Sequence, residues 1–456
     1  MAARVCTNCK ARKKKCDKAL PCCRYCAEKG IRCVYQEQKD GERVRLVPYP
    51  SRALSLTDNP SSSSPEGIVC REAQRILTPT GLYLDEVSVR YFESVHCYFP
   101  IITRQRFHGQ LISFGSHPRA DFSILLLCMA LHLNQPENKR IDTATLYFAT
   151  KGLYSQAQCL GTPTLNLIQA GVLLALYEYA QGEPERAFIT IGGSARMAYA
   201  AGLRSLSSLP TPTSPEIDDA DAKHSNTLWG IAICERLFLS ELAIMDQPLL
   251  SAIPNDVHDF SDSSFGCCQT DSLHSTSLIN GWRQAARATC LMDQLLSAIS
   301  APEESPWATL EKLDKALQMF LGETIQEAQG MTMYCLGISI AVRSLFLLHR
   351  RILSPTTRNF DRPKEAESNS RAALDTVTKI VADVAETHQH LSARQLDTLP
   401  LSYAYNVRAA VEYIRDKCQP LPPGSWLRDS GLRLERELDR LKFGGRIGGG
   451  SCSLAE

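Results

Sequence analysis

Seven cysteines within the first 33 residues constrain this chain more than any other feature of it. Cys6, Cys9 and Cys16 follow the pattern C-x2-C-x6-C, and Cys23, Cys26 and Cys33 repeat it 17 residues later at all three positions. Thiolates at this density are metal ligands or disulfide partners, and the redox compartment decides which. The opening residues, MAARVCTNCK, contain no apolar stretch of signal-peptide length. The most apolar runs, Phe122–Leu133 and Leu167–Ala180, fall short of the roughly 20 residues of a bilayer crossing. The expectation is an intracellular, reducing location with no membrane partner, where clustered cysteines favour metal. The other eleven of the 18 cysteines are scattered and read as small buried hydrophobes.

A structural zinc takes four ligands in a tetrahedron, and Cys-x2-Cys lets one short turn supply two of them. Cys6/Cys9 and Cys23/Cys26 are two such pairs. One mononuclear site built from them would leave Cys16 and Cys33 idle. Two Zn2+ need eight ligand positions, which six cysteines fill only if two thiolates bridge. The repeat supplies the natural bridges, Cys6 and Cys23. Two Zn2+ with six thiolates carry a formal −2, which nearby Lys and Arg help to offset. Cys22 stands beside a ligand and is set aside, because only Cys23 preserves the 17-residue repeat.

Charge points to the partner. The whole chain carries only +1, yet residues 1–35 hold ten Lys and Arg against Asp17 and Glu28, about +8, which leaves about −7 for the rest. A short basic head on a mildly acidic body suits a polyanion-binding module attached to a second domain. Five of the six residues Lys10-Ala-Arg-Lys-Lys-Lys15 are basic. The usual fate of such a run is a solvated face. Here it lies between metal ligands, where its charges are held in place, and neither a disulfide knot nor a metal store has use for it. Lys10, Lys14, Lys15, Lys18 and Arg24 are the candidate phosphate contacts.

This pattern resembles the fungal Zn2Cys6 binuclear cluster family of transcription factors over Val5–Tyr35: six cysteines, a basic run between the second and third, and Pro21 two residues before the fourth. The resemblance implies one zinc held by Cys6, Cys9, Cys16 and Cys23, and the other by Cys6, Cys23, Cys26 and Cys33. It implies base reading by Arg12 and Lys13, CGG-like sites in double-stranded DNA, a nuclear location, and RNA polymerase II machinery as a partner. Relatives commonly dimerise through a coiled coil just after the cluster. No such heptad follows Tyr35, so monomer and homodimer both stay open. Leu427, Leu434, Leu438 and Leu441 form a stripe of only about two heptads with Gly431 in a core position, read as packing against the body rather than as a zipper.

Residues 36–80, with their prolines and Ser61–Ser64, read as a disordered linker, and the Gly/Ser-rich 444–456 as a disordered tail. Between them, 81–443 is expected to be a large all-α regulatory domain. Helix candidates are a segment from about Leu82 to Pro100, then Phe122–Leu133, Leu146–Cys159, Leu165–Ala180, Ala187–Ala201, Leu228–Met245, Ile279–Ile299, Leu310–Glu327, Met331–Leu353, Arg371–His388, Tyr403–Lys417 and Trp426–Lys442. Leu206–Asp221 reads as an exposed insertion and Phe260–Ser277 as a polar, mobile stretch. Two segments resemble the fungal-specific regulatory (middle homology) domain: Tyr91–Ile101, ending in Phe-Pro-Ile, and Gly192–Leu203, continued through Leu228–Leu237 to Gln247-Pro248. Lys223-His-Ser-Asn226 departs from the more basic run that relatives often carry there.

None of H-E-x-x-H, G-x-S-x-G, Walker A or G-x-G-x-x-G occurs, so no enzyme is expected. Cys128 and His132, four apart in an apolar run, read as core packing rather than as ligands. Cys267-Cys268, in a polar loop, is either an oxidant sensor or a pair of thiols without a role. The expected function is zinc-dependent, sequence-specific regulation of transcription, of a metabolic or secondary-metabolite gene set by resemblance. The competing expectation is a helical metabolite-binding receptor or enzyme for which the zinc module is only a DNA tether.

Overall fold

A computed structural model describes residues 9, 13–19, 23–29, 64–78, 83–114, 118–133, 142–203, 206, 219–253, 273–300, 307–327, 335–354, 365–417 and 425–443. The chain divides into an N-terminal unit, Met1–Leu46 with Arg140–Asp142, and a large unit of Val47–Lys139 and Thr143–Glu456. No strand occurs among the described residues. No helix among them is long and apolar enough to cross a membrane.

Among the described residues, the N-terminal unit contributes the short helix α1 (Arg24–Glu28). The large unit contributes α2 (Pro65–Leu77), α3 (Leu84–Glu93), α4 (Arg104–Phe114), α5 (Ala120–Leu133), α6 (Thr143–Ala157), α7 (Leu165–Ala180), α8 (Pro184–Ala200) and α9 (Asp219–Leu239). It continues with α10 (Leu273–Ser300), α11 (Trp307–Glu327), α12 (Leu336–Leu353), α13 (Ala366–His388), α14 (Ala393–Leu396), α15 (Ser402–Lys417) and α16 (Trp426–Phe443).

Helix α7 is the axis of the first half. It is apolar around its whole circumference and all of its residues are buried, as expected of a helix enclosed by others. α5, α6, α8 and α9 pack around it. Its amide and carboxylate side chains are paired, because an unpaired polar group at that depth costs a few kcal/mol. Asn166 Nδ2 donates to Asp121, Gln169 Nε2 to the Ile101 carbonyl and Thr227, and Glu178 accepts from Tyr147, Lys151 and Thr190. Thr164 caps its start, its hydroxyl accepting from Leu167 N.

The two segments that resemble the regulatory domain meet here. Gly230 of α9 faces the turn after α3 so closely that a Cβ would stand 2.5 Å from Ile101 Cγ2. Only glycine lets the helix backbone approach that turn. His96, in the same turn, sits edge-on to Phe92 with ring centroids 4.8 Å apart. Burial pushes its pKa down to about 3, so it is a neutral core residue at any physiological pH.

The second half is built on α10 and α12, which cross where Gly337 leaves no room for a side chain: a Cβ would lie 2.8 Å from Gln284 C. Buried polar contacts join this half to the first. Arg236 of α9 pairs with Asp293 of α10 at 2.8 Å, and Arg343 of α12 with Glu241 at 2.8 Å. Tyr405 of α15 stacks on Tyr179 of α7 with centroids 4.1 Å apart and donates to the Tyr179 carbonyl at 2.6 Å.

Several elements differ from the sequence expectation: α9, expected over Leu228–Met245, runs from Asp219 to Leu239, and no helix candidate covers α14. Residues 65–77, assigned to the linker, form α2, which buries Val69, Cys70, Ala73, Ile76 and Leu77 against α5 and α6. Its signals are a Ser64 N-cap, a proline at the first helical position and apolar steps of three and four, all hidden by the local serine and proline content. Helix α4 fell between the helix candidates altogether. Helix α10 starts at Leu273, inside the stretch expected to be polar and mobile. Most of Leu206–Asp221, 36–63 and 444–456 lies outside the described residues. The leucine stripe of α16 is resolved as packing: Ser430, Leu434, Glu437 and Leu441 form its buried face against α13 and α15.

Candidate metal centre and nucleic-acid interface

Four of the six repeat cysteines are described, and they converge. Cys9 is helical, and its carbonyl accepts from Lys14 N at 2.9 Å. That six-to-one bond is the mark of a helix cap whose penultimate residue is left-handed, and Lys13 occupies that position with φ 50°. Glycine is the usual occupant, because a Cβ there costs about 1 kcal/mol or more. The repeat has Gly30 at the equivalent position, 17 residues on. The chain therefore accepts strain to keep a lysine at 13. Lys18, at φ 58°, is a second left-handed lysine.

Cys23 is extended and caps α1: its Sγ accepts from Cys26 N at 3.4 Å, and its carbonyl from Ala27 N at 3.0 Å. This turn carries Cys26 back beside Cys23. Cys9, Cys23 and Cys26 are all 0% exposed, with Cys16 and Tyr25 packed against them. Cys9 Sγ and Cys23 Sγ lie 3.6 Å apart, far beyond the ~2.05 Å of a disulfide. Two thiolates on one tetrahedral zinc, each ~2.3 Å from the metal, stand ~3.8 Å apart. The Sγ atoms of Cys9, Cys23 and Cys26 all lie within 4.8 Å of one another, and so do the ligand atoms of Cys16, Asp17 and Cys23. Cys23 belongs to both groups and so lies centrally among the described thiols. The donor set fits zinc. Buried thiols are also the only core this unit has among the described residues, too small to hold a fold without metal.

Lys13, Lys14 and Lys15, four to six residues after Cys9, are exposed, Lys18 is half-buried, and Arg24 opens α1 with its side chain 82% exposed. Arg24 spends part of its charge on Glu28, Nε to Oε1 at 3.0 Å. Cys6, Cys33, Lys10, Arg12 and Cys22 lie outside the described residues. The residue that sequence reasoning missed is Asp17, counted only as a charge. Both of its carboxylate oxygens accept from Arg24 N, at 3.1 and 3.2 Å, and Oδ1 also faces Ala19 N at 3.4 Å. A carboxylate beside a ligand cysteine, within an otherwise basic stretch, was the available signal.

The large unit holds one arrangement with a catalytic look. His349 Nε2 lies 3.3 Å from Asp314 and Nδ1 lies 3.3 Å from Ser370 Oγ. His349 is 3% and Ser370 2% exposed, so the hydroxyl is not presented to solvent, and the trio ties α11, α12 and α13 together. Cys128 is fully buried, and the half-buried His132 is engaged through Nε2 with the Leu173 carbonyl at 2.9 Å. Cys267-Cys268 lies outside the described residues.

Comparison with known proteins agrees with this geometry. Residues 4–42 match the fungal Zn(2)-Cys(6) binuclear cluster domain, and residues 89–331 match the fungal specific transcription factor domain. Transcription factor BOA15 of Botryotinia fuckeliana is 35% identical over 123 residues, 26% of this chain and 67% of that protein. The azaphilone cluster-specific transcription factor azaR of Aspergillus niger is 24% identical over 280 residues, 53% of this chain and 56% of its own. The asperfuranone cluster transcription factor afoA of Emericella nidulans is 27% identical over 218 residues, 40% and 32% of the two chains. The chain thus spans about half and a third of the latter two relatives. No solved structure matches it. The clustered thiols, the exposed lysines that follow Cys9 and a helical domain matched over half the chain converge: this chain belongs to the fungal-specific transcription factors and carries a zinc-binding Zn(2)-Cys(6) binuclear cluster domain ahead of its helical domain.

Proposed function

We propose that the protein is a nuclear, sequence-specific regulator of RNA polymerase II transcription whose DNA-binding unit is held by two Zn2+. One zinc takes Cys6, Cys9, Cys16 and Cys23, and the other Cys6, Cys23, Cys26 and Cys33. The observation that carries the reading is the convergence of Cys9, Cys16, Cys23 and Cys26 in one thiol cluster, next to solvent-exposed Lys13, Lys14 and Lys15. Zinc supplies the rigid scaffold that such a unit lacks when apolar burial is this small. Lysines fixed to that scaffold lose little entropy on meeting DNA. Arg12 and Lys13 read base edges in the major groove, while Lys10, Lys14, Lys15, Lys18 and Arg24 meet phosphates. The domain division follows: 1–35 binds DNA, 81–443 regulates or recruits the transcription machinery, and 36–80 connects them, with α2 belonging to the helical side. Relatives named for azaphilone and asperfuranone clusters support a secondary-metabolite gene set as the target.

A salt titration tests the DNA interface. Neutralising about five phosphates gives a slope of log affinity against log salt near −4 or −5. Fluorescence anisotropy with a labelled CGG-containing duplex measures it. An affinity that does not change with salt contradicts this reading.

A further inference from the structure

We propose that Asp17 is a positioning residue of the zinc cluster: its carboxylate stays off the metal and clamps the backbone that presents Cys23. The proposal rests on the binuclear reading above and extends it to a residue outside the thiolate set.

Helix α1 is only five residues long, far below the length at which a helix holds itself in water. Its start carries N–H groups that no helical carbonyl can satisfy. One of these, Cys26 N, is taken by Cys23 Sγ. Arg24 N, next to Cys23 itself, is taken by both oxygens of Asp17 in a three-centre bond. Asp17 follows Cys16 and Arg24 follows Cys23. The clamp therefore closes the loop between the third and fourth ligands and fixes both cysteine backbones from outside the metal. A carboxylate at a helix start is also favoured by the helix dipole. Asp17 is exposed, so its bare charge is screened and the directional bonds carry the effect.

Direct ligation by Asp17 is the rival. A carboxylate oxygen lies within 4.8 Å of the Cys16 and Cys23 sulfurs, close enough to be considered. Both oxygens, however, are already directed at Arg24 N. Six thiolates complete both tetrahedra when two of them bridge, and a further anion on a cluster of formal charge −2 is unfavourable. The repeat gives independent support. Position 34, equivalent to 17 in the second copy, is valine, so Asp17 serves a task that ligand symmetry does not require.

The test uses the full-length chain loaded with zinc, as wild type, Asp17→Ala and Asp17→Asn, with a competing chelator. Asp17→Ala is expected to release zinc at about 10- to 100-fold lower chelator, the usual loss on removing an outer-shell partner. Asp17→Asn keeps an oxygen that accepts from Arg24 N and is expected to restore most of the resistance. Cobalt-substituted forms of all three should share the bands of an all-thiolate site. Asp17→Ala matching wild type overturns the proposal. Asp17→Asn as weak as Asp17→Ala also overturns it, and a shift of the cobalt bands then identifies the carboxylate as a ligand. Wild-type protein that holds fewer than two zincs instead unseats the binuclear reading, a separate outcome visible in the same metal assay.

Discussion

Replacing Cys23 with serine is expected to cost the N-terminal unit its zinc and, with it, specific DNA binding, while replacing the adjacent Cys22 leaves both intact. The contrast is sharp because serine preserves everything about Cys23 except the thiolate. Serine is a good N-cap, so the bond that Cys23 Sγ accepts from Cys26 N has a substitute and α1 keeps its start. What disappears is the sulfur that lies within 4.8 Å of the Cys9, Cys16 and Cys26 sulfurs alike. A structural zinc contributes roughly 10–16 kcal/mol of apparent binding free energy at pH 7. Losing a shared ligand takes a large part of that from two metals at once. Native mass spectrometry should find fewer than two zincs in Cys23→Ser and two in Cys22→Ser. Affinity for a CGG-containing duplex should fall to the non-specific level in the first variant only. Zinc loss on Cys22→Ser instead would move the ligand to position 22 and break the 17-residue repeat.

Lys13→Gly should separate stability from function by moving them in opposite directions. Lys13 holds a left-handed backbone at φ 50°, where its Cβ is a steric burden. Glycine removes the burden but also widens the unfolded ensemble, so the net gain ranges from zero to ~1 kcal/mol. Because folding and metal binding are coupled, the gain appears as equal or greater resistance to a chelator. On the proposed base-reading role of Lys13, the same substitution deletes a contact worth about 1–3 kcal/mol, roughly 5- to 150-fold in discrimination against a wrong base. Lys13→Ala is the control, losing the contact while keeping the strain. If Lys13→Gly weakens zinc retention, the left-handed conformation is not a cost. If it leaves discrimination unchanged, Lys13 reads no base.

How much of this was legible in the sequence depends on how local each signal is. The bounds of α7, Leu165–Ala180, are those expected, because an unbroken apolar run sits between a threonine cap and Gly182. Helix α4 was missed because only Phe107 and Phe114 are buried, and Arg104, Gln105, Arg106 and His108 dilute the period. Helix α2 was missed because composition was allowed to outvote a capped, amphipathic pattern. At the metal centre, the thiols were readable since spacing alone defines Cys-x2-Cys pairs. Asp17 was not, because its partner Arg24 N is seven residues away and on the backbone. The Asp314–His349–Ser370 trio joins three helices, and no spacing rule reaches across them.

The central claim is that metal-held thiolates present basic residues to specific DNA. It is tested most directly by selecting bound sequences from a random duplex pool with the full-length chain, zinc-loaded and chelator-stripped in parallel, and scoring single against paired sites. Strong enrichment of CGG-like elements is expected from the zinc-loaded protein, and none after stripping. Equal enrichment in both arms, or none in either, would contradict the claim.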